Sequence, residues 1–302
     1  MREAGVGDGN GRTGEADLDA FAEIAVGARG HLFGDRPGRH RSRTLGAGGP
    51  FAGLAPLMAD PDPRRIDLRA ALRDPFGALW VRRHHRTVAT DVVALVDCSA
   101  SMGYVGAVPR ADVVRLLVGG LAHAVSRSSD RFGLLLAGET VAPARMMPPS
   151  PRRDLAVEVG DLVAAAGTAG RGAAGLLAAA DLLPRRRCVV LLVSDFTFGD
   201  DQLDLLLDRL AGHDVRPLVL RDSAAEDPDP SFGLVDLVDL EDRSRSLVLM
   251  RPALAARWRA AAAVRRRRLA GIFAAHDLAP VEILDRIDPE ALFEALASGG
   301  AT

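Results

Sequence analysis

"DVVALVDCSASMG" (residues 91–103) is the stretch whose reading decides the fold. Its first half is an unbroken apolar run of strand length, the pattern of a strand covered on both faces, as parallel strands are in α/β domains. The run ends at Asp97, and Ser99 and Ser101 follow at alternate positions. Alternation turns these three side chains one way and Cys98 and Ala100 another. On its own the pattern also suits a strand-ending turn in which Asp and Ser bond nearby backbone groups.

Downstream, the periodicity switches repeatedly between strand and helix. "RADVVRLLVGGLAHAVSRS" (110–128) has helical spacing, and "RFGLLLAGE" (131–139) reads as a strand. Helices follow over "RRDLAVEVGDLVAAA" (152–166) and "AAGLLAAADLL" (173–183). "CVVLLVSDF" (188–196) is a second fully apolar strand, ending at Asp195, before helix "DQLDLLLDRLAG" (201–212) and strand "VRPLVL" (215–220). Strands alternating with helices predict an α/β fold with a doubly wound, mostly parallel sheet. Strands 91–97, 131–138, 188–194 and 215–220 are expected in one sheet, with Asp97 and Asp195 at the same edge.

The flanks are less regular. Residues 1–16 are Gly-rich and polar, the composition of a disordered tail. A short amphipathic helix is expected over 17–30, and 31–86, rich in Gly, Pro and Arg, reads as loops and short strands. Beyond the core, "FGLVDLVDL" (232–240) and "RSLVLM" (245–250) pair as a hairpin, 251–276 is a long helix and "APVEILD" (279–285) a closing strand. The last helix, 288–297, has Asp288 as its N-cap and Pro289 at its first position. The expected organisation is a tail (1–16), an N-terminal extension (17–89), a core (90–222) and a C-terminal extension (223–298).

Composition narrows the chemistry. The chain has 302 residues and 48% hydrophobic content, enough for a globular core. All 38 basic residues are arginine, which excludes a phosphate-loop lysine, a Schiff-base lysine and a lysine general base. A net charge of -2 argues against a general nucleic-acid binder. The arginine clusters at 36–43, 82–86 and 265–268 read as solvated faces. Cys98 and Cys188 make no disulfide framework, and with no His near either in sequence they read as buried, reduced, inert core residues. With no apolar leader at the N-terminus and no stretch approaching the ~20 residues of a membrane span, the expected location is the cytoplasm.

Ligands of open α/β sheets gather at the carboxyl ends of the strands. Two carboxylates there, with serine hydroxyls between them, form an oxygen-only cluster suited to a hard cation. An ion held largely by neutral hydroxyls keeps much of its charge and attracts a carboxylate from another molecule. Enzyme readings are weaker. Ser99 and Ser101 lie in no Gly-x-Ser-x-Gly elbow, serine stands where an aspartyl-phosphate site needs a second acid, and no Gly-x-Gly-x-x-Gly opens the first helix. A binding module is therefore expected, with a metal-dependent hydrolase using Asp97 and Asp195 as the alternative.

"DCSASM" after an apolar strand, with "VSDF" ending a later one, resembles a von Willebrand factor A-type domain and its metal-ion-dependent adhesion site. Upstream, "RRIDLRAALRDPFG" (64–77) resembles the segment preceding that site in the uncharacterised family encoded beside MoxR-type AAA+ ATPases, with Leu68 in place of a tryptophan. "RDPFGALWVR", "HDVRPLVL" and "LMRPALAARWRAAAAVRRRRL" are most similar to the MxaS type from methanol-oxidation gene clusters. The likeness runs from about residue 30 to 295. It implies a von Willebrand factor A-like fold and a divalent cation (Mg²⁺, with Ca²⁺ or Mn²⁺ as alternatives) held by Asp97, Ser99, Ser101, Thr168 and Asp195. Alignment from the helix "GLLAAA" backward instead puts Gly170 at the threonine position, which would leave the loop without a ligand. It further implies a MoxR-type ATPase partner, a client carboxylate at the metal, and a role in inserting calcium into methanol dehydrogenase or in adapting another client. Asp67 is expected to be structural, paired with an arginine, and His84 and His85 to be surface or contact residues.

Overall fold

The apolar run at 91–97 is the third of ten strands among the described residues. In the computed structural model, residues 20, 21, 24, 26, 37–139, 145–227, 232–238, 240 and 244–298 are described. In chain order the strands are β1 (Pro37–Pro56), β2 (Trp80–Val88), β3 (Asp91–Asp97), β4 (Arg131–Ala137), β5 (Met146–Ser150), β6 (Val189–Ser194), β7 (Asp214–Arg221), β8 (Gly233–Val238), β9 (Arg245–Met250) and β10 (Val281–Leu284). The helices are α1 (Leu68–Arg73), α2 (Arg110–Arg127), α3 (Leu155–Ala166), α4 (Ala174–Ala180), α5 (Asp200–Leu210), α6 (Ser223–Glu226), α7 (Pro252–Ala275) and α8 (Pro289–Ser298).

Six strands form the central sheet in the order β10-β7-β6-β3-β4-β5. All neighbours are parallel except β5, which runs antiparallel to β4. The order reverses at β3: the chain steps to β4 on one side, then returns to β6 on the other. The carboxyl ends of β3 and β6 are thus the topological switch point, where open α/β sheets take their ligands.

Why the central runs are apolar throughout is visible in their packing. Val92, Ala94 and Val96 of β3 face one core cluster, with α2, α3 and α8, while Val93 and Leu95 face the other, with α4, α5 and the end of α7. Each side chain points to alternate faces, and helices cover both, so neither set can be polar. Burying one such Leu or Val is worth roughly 1.5–3 kcal/mol. Phe21 also joins the first cluster, its ring lying where a Cβ on Gly120 would be. At the start of α4, Gly175 approaches so closely that a Cβ there would overlap the carbonyl oxygen of Gly138.

The long helix, the hairpin, the closing strand and the last helix stand where sequence placed them. β8 pairs antiparallel with β9, and β10 adds to β7. Asp288 accepts from the backbone N–H groups of Glu290 and Ala291, as an N-cap does. Asp67 caps α1 and pairs with Arg82 at 2.7 Å. His84 meets Phe51 edge-on, ring centroids 6.0 Å apart.

Two expectations need correction. Residues 37–56 and 80–88 are not loops and short strands but one long antiparallel ribbon, whose register shifts repeatedly. Such irregularities break the period of two that would have revealed it. β5 ("MMPPS") lies in a stretch for which no element was predicted; it carries two prolines, and at the sheet edge a missing N–H is tolerated. The tail expected over 1–16 and most of the helix expected over 17–30 fall outside the described residues. No helix among the described residues is long and apolar enough to cross a membrane.

Candidate functional site

Parallel pairing sets Val96 of β3 beside Val193 of β6, so the residues that follow, Asp97 and Ser194, meet at the carboxyl edge. Ser194 Oγ donates to Asp97 Oδ2 at 2.6 Å, and the backbone N–H of Ser99 donates to Asp97 Oδ1 at 2.8 Å. Asp97 is 2% exposed. Burial, reinforced by the negative charge of Asp195 and opposed by these hydrogen bonds, raises its carboxyl to about 6.

Asp195 lies one residue beyond β6 and is also buried. Its Oδ1 accepts from Ser101 Oγ at 3.2 Å and from the Thr197 N–H and hydroxyl at 3.1 and 2.9 Å. Ser101 Oγ is in turn 3.1 Å from Ser99 Oγ. The chain turns sharply here: Phe196 adopts φ 51, a left-handed conformation unusual for a bulky side chain. Its ring is anchored against Phe273 of α7 at 5.2 Å, which holds the turn, and with it Asp195, in place.

Four of the five residues expected from sequence, Asp97, Ser99, Ser101 and Asp195, are therefore linked in one hydrogen-bonded chain. Thr168 is brought to its rim. The loop carrying it is tied to the motif by Ala169 N–H to the Cys98 carbonyl (2.9 Å) and Ala100 N–H to the Gly170 carbonyl (3.1 Å). Thr168 Oγ1 lies against Gly103, 2.6 Å from where a Cβ there would be. Gly170 has φ +96 and abuts Glu139 so closely that no side chain fits. Between the two alternatives for this loop, Thr168 is the residue whose hydroxyl is beside the motif.

Sequence reasoning missed Arg110, Ser194 and Thr197. Arg110 opens α2 and is 8% exposed. Its Nη1 donates to Asp195 Oδ2 at 2.5 Å and to the Ser101 carbonyl at 2.8 Å, and its guanidinium stacks over Tyr104, 5.4 Å from the ring centroid. The signal was available: a cation in the first turn of a helix opposes the helix dipole and calls for a local carboxylate. Arg265 of α7 reaches the same edge, donating to the Asp195 carbonyl at 2.9 Å, and Arg268 pairs with Asp200. The arginine run at 265–268 is thus only partly a solvated face.

Does this set suit a cation? Adjacent corners of an octahedron with ~2.1 Å bonds lie ~3.0 Å apart. The separations of 3.1 Å (Ser99 Oγ to Ser101 Oγ) and 3.2 Å (Ser101 Oγ to Asp195 Oδ1) match that edge, and the donors are all oxygen. The residues fit a hard divalent ion. Among the described residues no group of three or more His, Cys, Asp or Glu is placed to share an ion, so the hydroxyls are essential to any such site. Arg110 already answers one of the two carboxylate charges, which weakens the cradle for a metal.

Contrast the other end of the sheet. Asp91, equally buried, is held by Arg131 at 3.2 Å and by Arg186, an ion pair that closes the amino edge. Both cysteines are free and buried, and burial pushes each thiol up to about 12. Although no His is near it in sequence, the fold gives Cys188 a histidine neighbour, His213 Nδ1 at 3.2 Å. Burial lowers that imidazole, so the pair stays neutral and the thiol unreactive.

A doubly wound α/β domain with an acidic, hydroxyl-lined switch point, flanked by a basic helix, is the class that fold and site define. The chain belongs to the family described as "Protein of unknown function DUF58", which it matches over residues 59–270. It is 41% identical over 101 residues to a Paracoccus denitrificans protein described as "Uncharacterized protein in moxR 3'region", a match covering 33% of this chain and 96% of that one. Among solved structures it is similar to the conserved hypothetical protein BatB from Bacteroides thetaiotaomicron, with TM-score 0.41 and 11% identity over 70% of this chain and 98% of that one. It is also similar to an aerotolerance-related membrane protein from Bacteroides fragilis, with TM-score 0.43 and 12% identity over 70% of this chain and 100% of that one.

Proposed function

We propose that this chain is a non-enzymatic, cation-dependent protein-binding module of the von Willebrand factor A type that works with a MoxR-type AAA+ ATPase on a client protein. The observation that carries the reading is the oxygen triad of Ser99, Ser101 and Asp195, spaced at 3.1 and 3.2 Å on the switch point. The relative described from the moxR 3' region supports the choice of partner. When bound, a divalent ion would supply uncompensated positive charge at an open position. The protein's own residues do the rest. Asp97 holds the Ser99 backbone N–H, Asp195 accepts from the Ser101 hydroxyl, Arg110 keeps Asp195 from turning outward, and Thr168 stands at the rim where a client carboxylate would arrive.

The sequence likeness to the MxaS type extends the proposal to a particular client, methanol dehydrogenase, and to insertion of its calcium. An adaptor role toward some other client uses the same surface, and the genes beside this one would distinguish the two.

A hydrolase has one observation in its favour, the raised carboxyl of Asp97. A general base must reach the proton it takes, and Asp97 is 2% exposed with both oxygens already engaged. The binding reading is the stronger. Its test is co-precipitation of the ATPase or client with wild type, with Asp97→Ala, and with wild type plus chelator. Loss of binding in both of the last two, with the fold intact by circular dichroism, is expected; binding that survives both would reduce the motif to an inherited turn.

A further inference from the structure

The segment "RRIDLRAALRDPFGALW" (64–80) takes no part in the site at the switch point. It closes one end of the β1–β2 ribbon instead. Ile66 bridges to Val81, and the Asp67 N–H donates to the Trp80 carbonyl at 2.7 Å, which lays the start of α1 against β2. The Leu57 N–H donates to the Leu79 carbonyl at 2.8 Å, carrying the ladder one step past the two strands. After α1, Asp74 takes the Phe76 N–H and the Trp80 indole N–H, both at 2.7 Å. Met58, Leu68, Leu72, Phe76 and Leu79 are thereby gathered at one end of the ribbon.

Their exposure is the reverse of what their chemistry asks. Phe76 is 94% exposed, Met58 93%, Leu72 87% and Leu68 70%. Leu68 and Leu72, four residues apart, share one side of α1. Single exposed apolar side chains are ordinary, but several at the end of one projection mark a contact surface. The frame that holds them out is braced. Asp60 pairs with Arg83 at 3.2 Å, Asp62 with Arg65 at 2.6 Å, and Asp67 both caps α1 and pairs with Arg82.

The charge around these side chains is predominantly of one sign. Residues 37–89 contain ten arginines, four aspartates and no glutamate, in a chain whose net charge is -2. All four aspartates are engaged by the ribbon's own groups, as described. Arg69 and Arg73 are exposed, stand next to Leu68 and Leu72 in sequence, and enter no ion pair among the described residues.

We propose that this end of the ribbon is a docking face for an anionic membrane surface, with Met58, Leu72 and Phe76 entering the acyl boundary and Arg69 and Arg73 meeting lipid phosphates. Interfacial binding of this kind combines apolar insertion with attraction to anionic headgroups. Side chains that protrude singly require matching pockets on a protein partner, whereas a fluid acyl layer conforms to them. A second copy of this chain fits less well, since a two-fold contact would set arginines against arginines. The placement leaves the other site free. β2 leads into the amino end of β3 through two residues, while the switch point lies at the carboxyl end, so ribbon and site join opposite edges of the sheet. The inference stands independently of the cation reading.

Co-sedimentation of the full chain with vesicles tests this, using phosphatidylcholine alone and an equal mixture of phosphatidylcholine and phosphatidylglycerol, with EDTA present throughout. Binding to the mixed vesicles is expected, at least tenfold tighter than to the neutral ones. It should weaken as salt raised from ~0.1 M to ~1 M shortens the screening length from ~10 Å to ~3 Å. Leu72→Asp with Phe76→Asp should weaken it about tenfold or more, since each loses an apolar side chain from the acyl boundary. Arg69→Gln with Arg73→Gln should cost roughly tenfold on mixed vesicles and little on neutral ones. All four positions are exposed, and circular dichroism establishes that both variants are folded. If neither vesicle binds, or if both variants bind as wild type does, the membrane assignment fails. It fails also if light scattering shows a wild-type dimer that Leu72→Asp with Phe76→Asp makes monomeric while vesicles are ignored, since the face then joins two copies. If that variant ignores vesicles yet still captures the ATPase in a chelator-sensitive way, both readings stand. If wild type binds vesicles while chelation leaves ATPase capture unchanged, the membrane face stands and the cation reading falls.

Discussion

Asp97→Asn separates the charge of the buried carboxylate from its shape. The wild-type carboxyl is raised from 3.8 to about 6, chiefly by burial. A raised acid contributes stability through its protonated form: the contribution is complete below 3.8 and is lost as pH climbs through 6. At ~1.36 kcal/mol for each tenfold change in proton affinity, ionising Asp97 costs the metal-free fold about 1 kcal/mol at pH 4.5 and about 3 kcal/mol at pH 7.5. Asparagine has the same outline and no charge to lose. The variant should therefore gain on wild type by about 2 kcal/mol between those two pH values, measured by urea denaturation followed by circular dichroism in EDTA. Adding Mg²⁺ should then stabilise wild type alone, because a ligand that binds only the folded state raises its stability by mass action. A variant-to-wild-type difference that stays flat from pH 4.5 to 7.5 would refute the reasoning, since Asp97 would then titrate as an exposed acid does.

Arg110→Gln should lower metal-free stability by roughly 3–5 kcal/mol, by leaving Asp195 buried without its partner charge, and should enlarge the thermal stabilisation given by Mg²⁺. An unchanged response to Mg²⁺ would show that the guanidinium and the ion do not share the carboxylate. Thr168→Ala should weaken Mn²⁺ binding about tenfold in calorimetry if its hydroxyl is a ligand, equivalent to ~1.4 kcal/mol; unchanged affinity would make Thr168 a packing residue on Gly103. Cys98 and Cys188 should resist thiol reagents at pH 8 in the folded protein and react at once in denaturant, and rapid labelling of the native chain would contradict their burial.

What sequence could and could not reveal follows from range. Asp97 and Asp195 are legible because each closes an unbroken apolar run, and an apolar run covered on both faces has little else to say at its end. Ser194 is not, since it reads as one more strand residue until the parallel register sets it opposite Asp97. Arg110 hides among 38 arginines, although its position in the first helical turn marks it physically. The ribbon of β1 and β2 is obscured by its own register shifts, and β5 by prolines that an edge strand can carry. Least legible is α7's place over the site. Its arginines recur on several sides of the helix, so no stripe announces a buried face, and its contact with Asp195 spans 70 residues of chain.

A helix pinned near its two ends behaves as a beam. Ala255 and Phe273, the buried pins of α7, lie eighteen residues apart, about 27 Å at ~1.5 Å per residue. Such a beam deflects most at midspan, and Arg265 sits almost there, its guanidinium touching the Asp195 carbonyl. On one side of that strut is a cleft above Asp195 and Arg110; on the other is a second hollow of about 560 Å³ lined by Phe196, Phe198 and Leu203. A sideways displacement of α7 would therefore widen one opening as it narrowed the other. The Asp195 carbonyl, which takes the Arg265 N–H, is the stop against which such a displacement would come to rest.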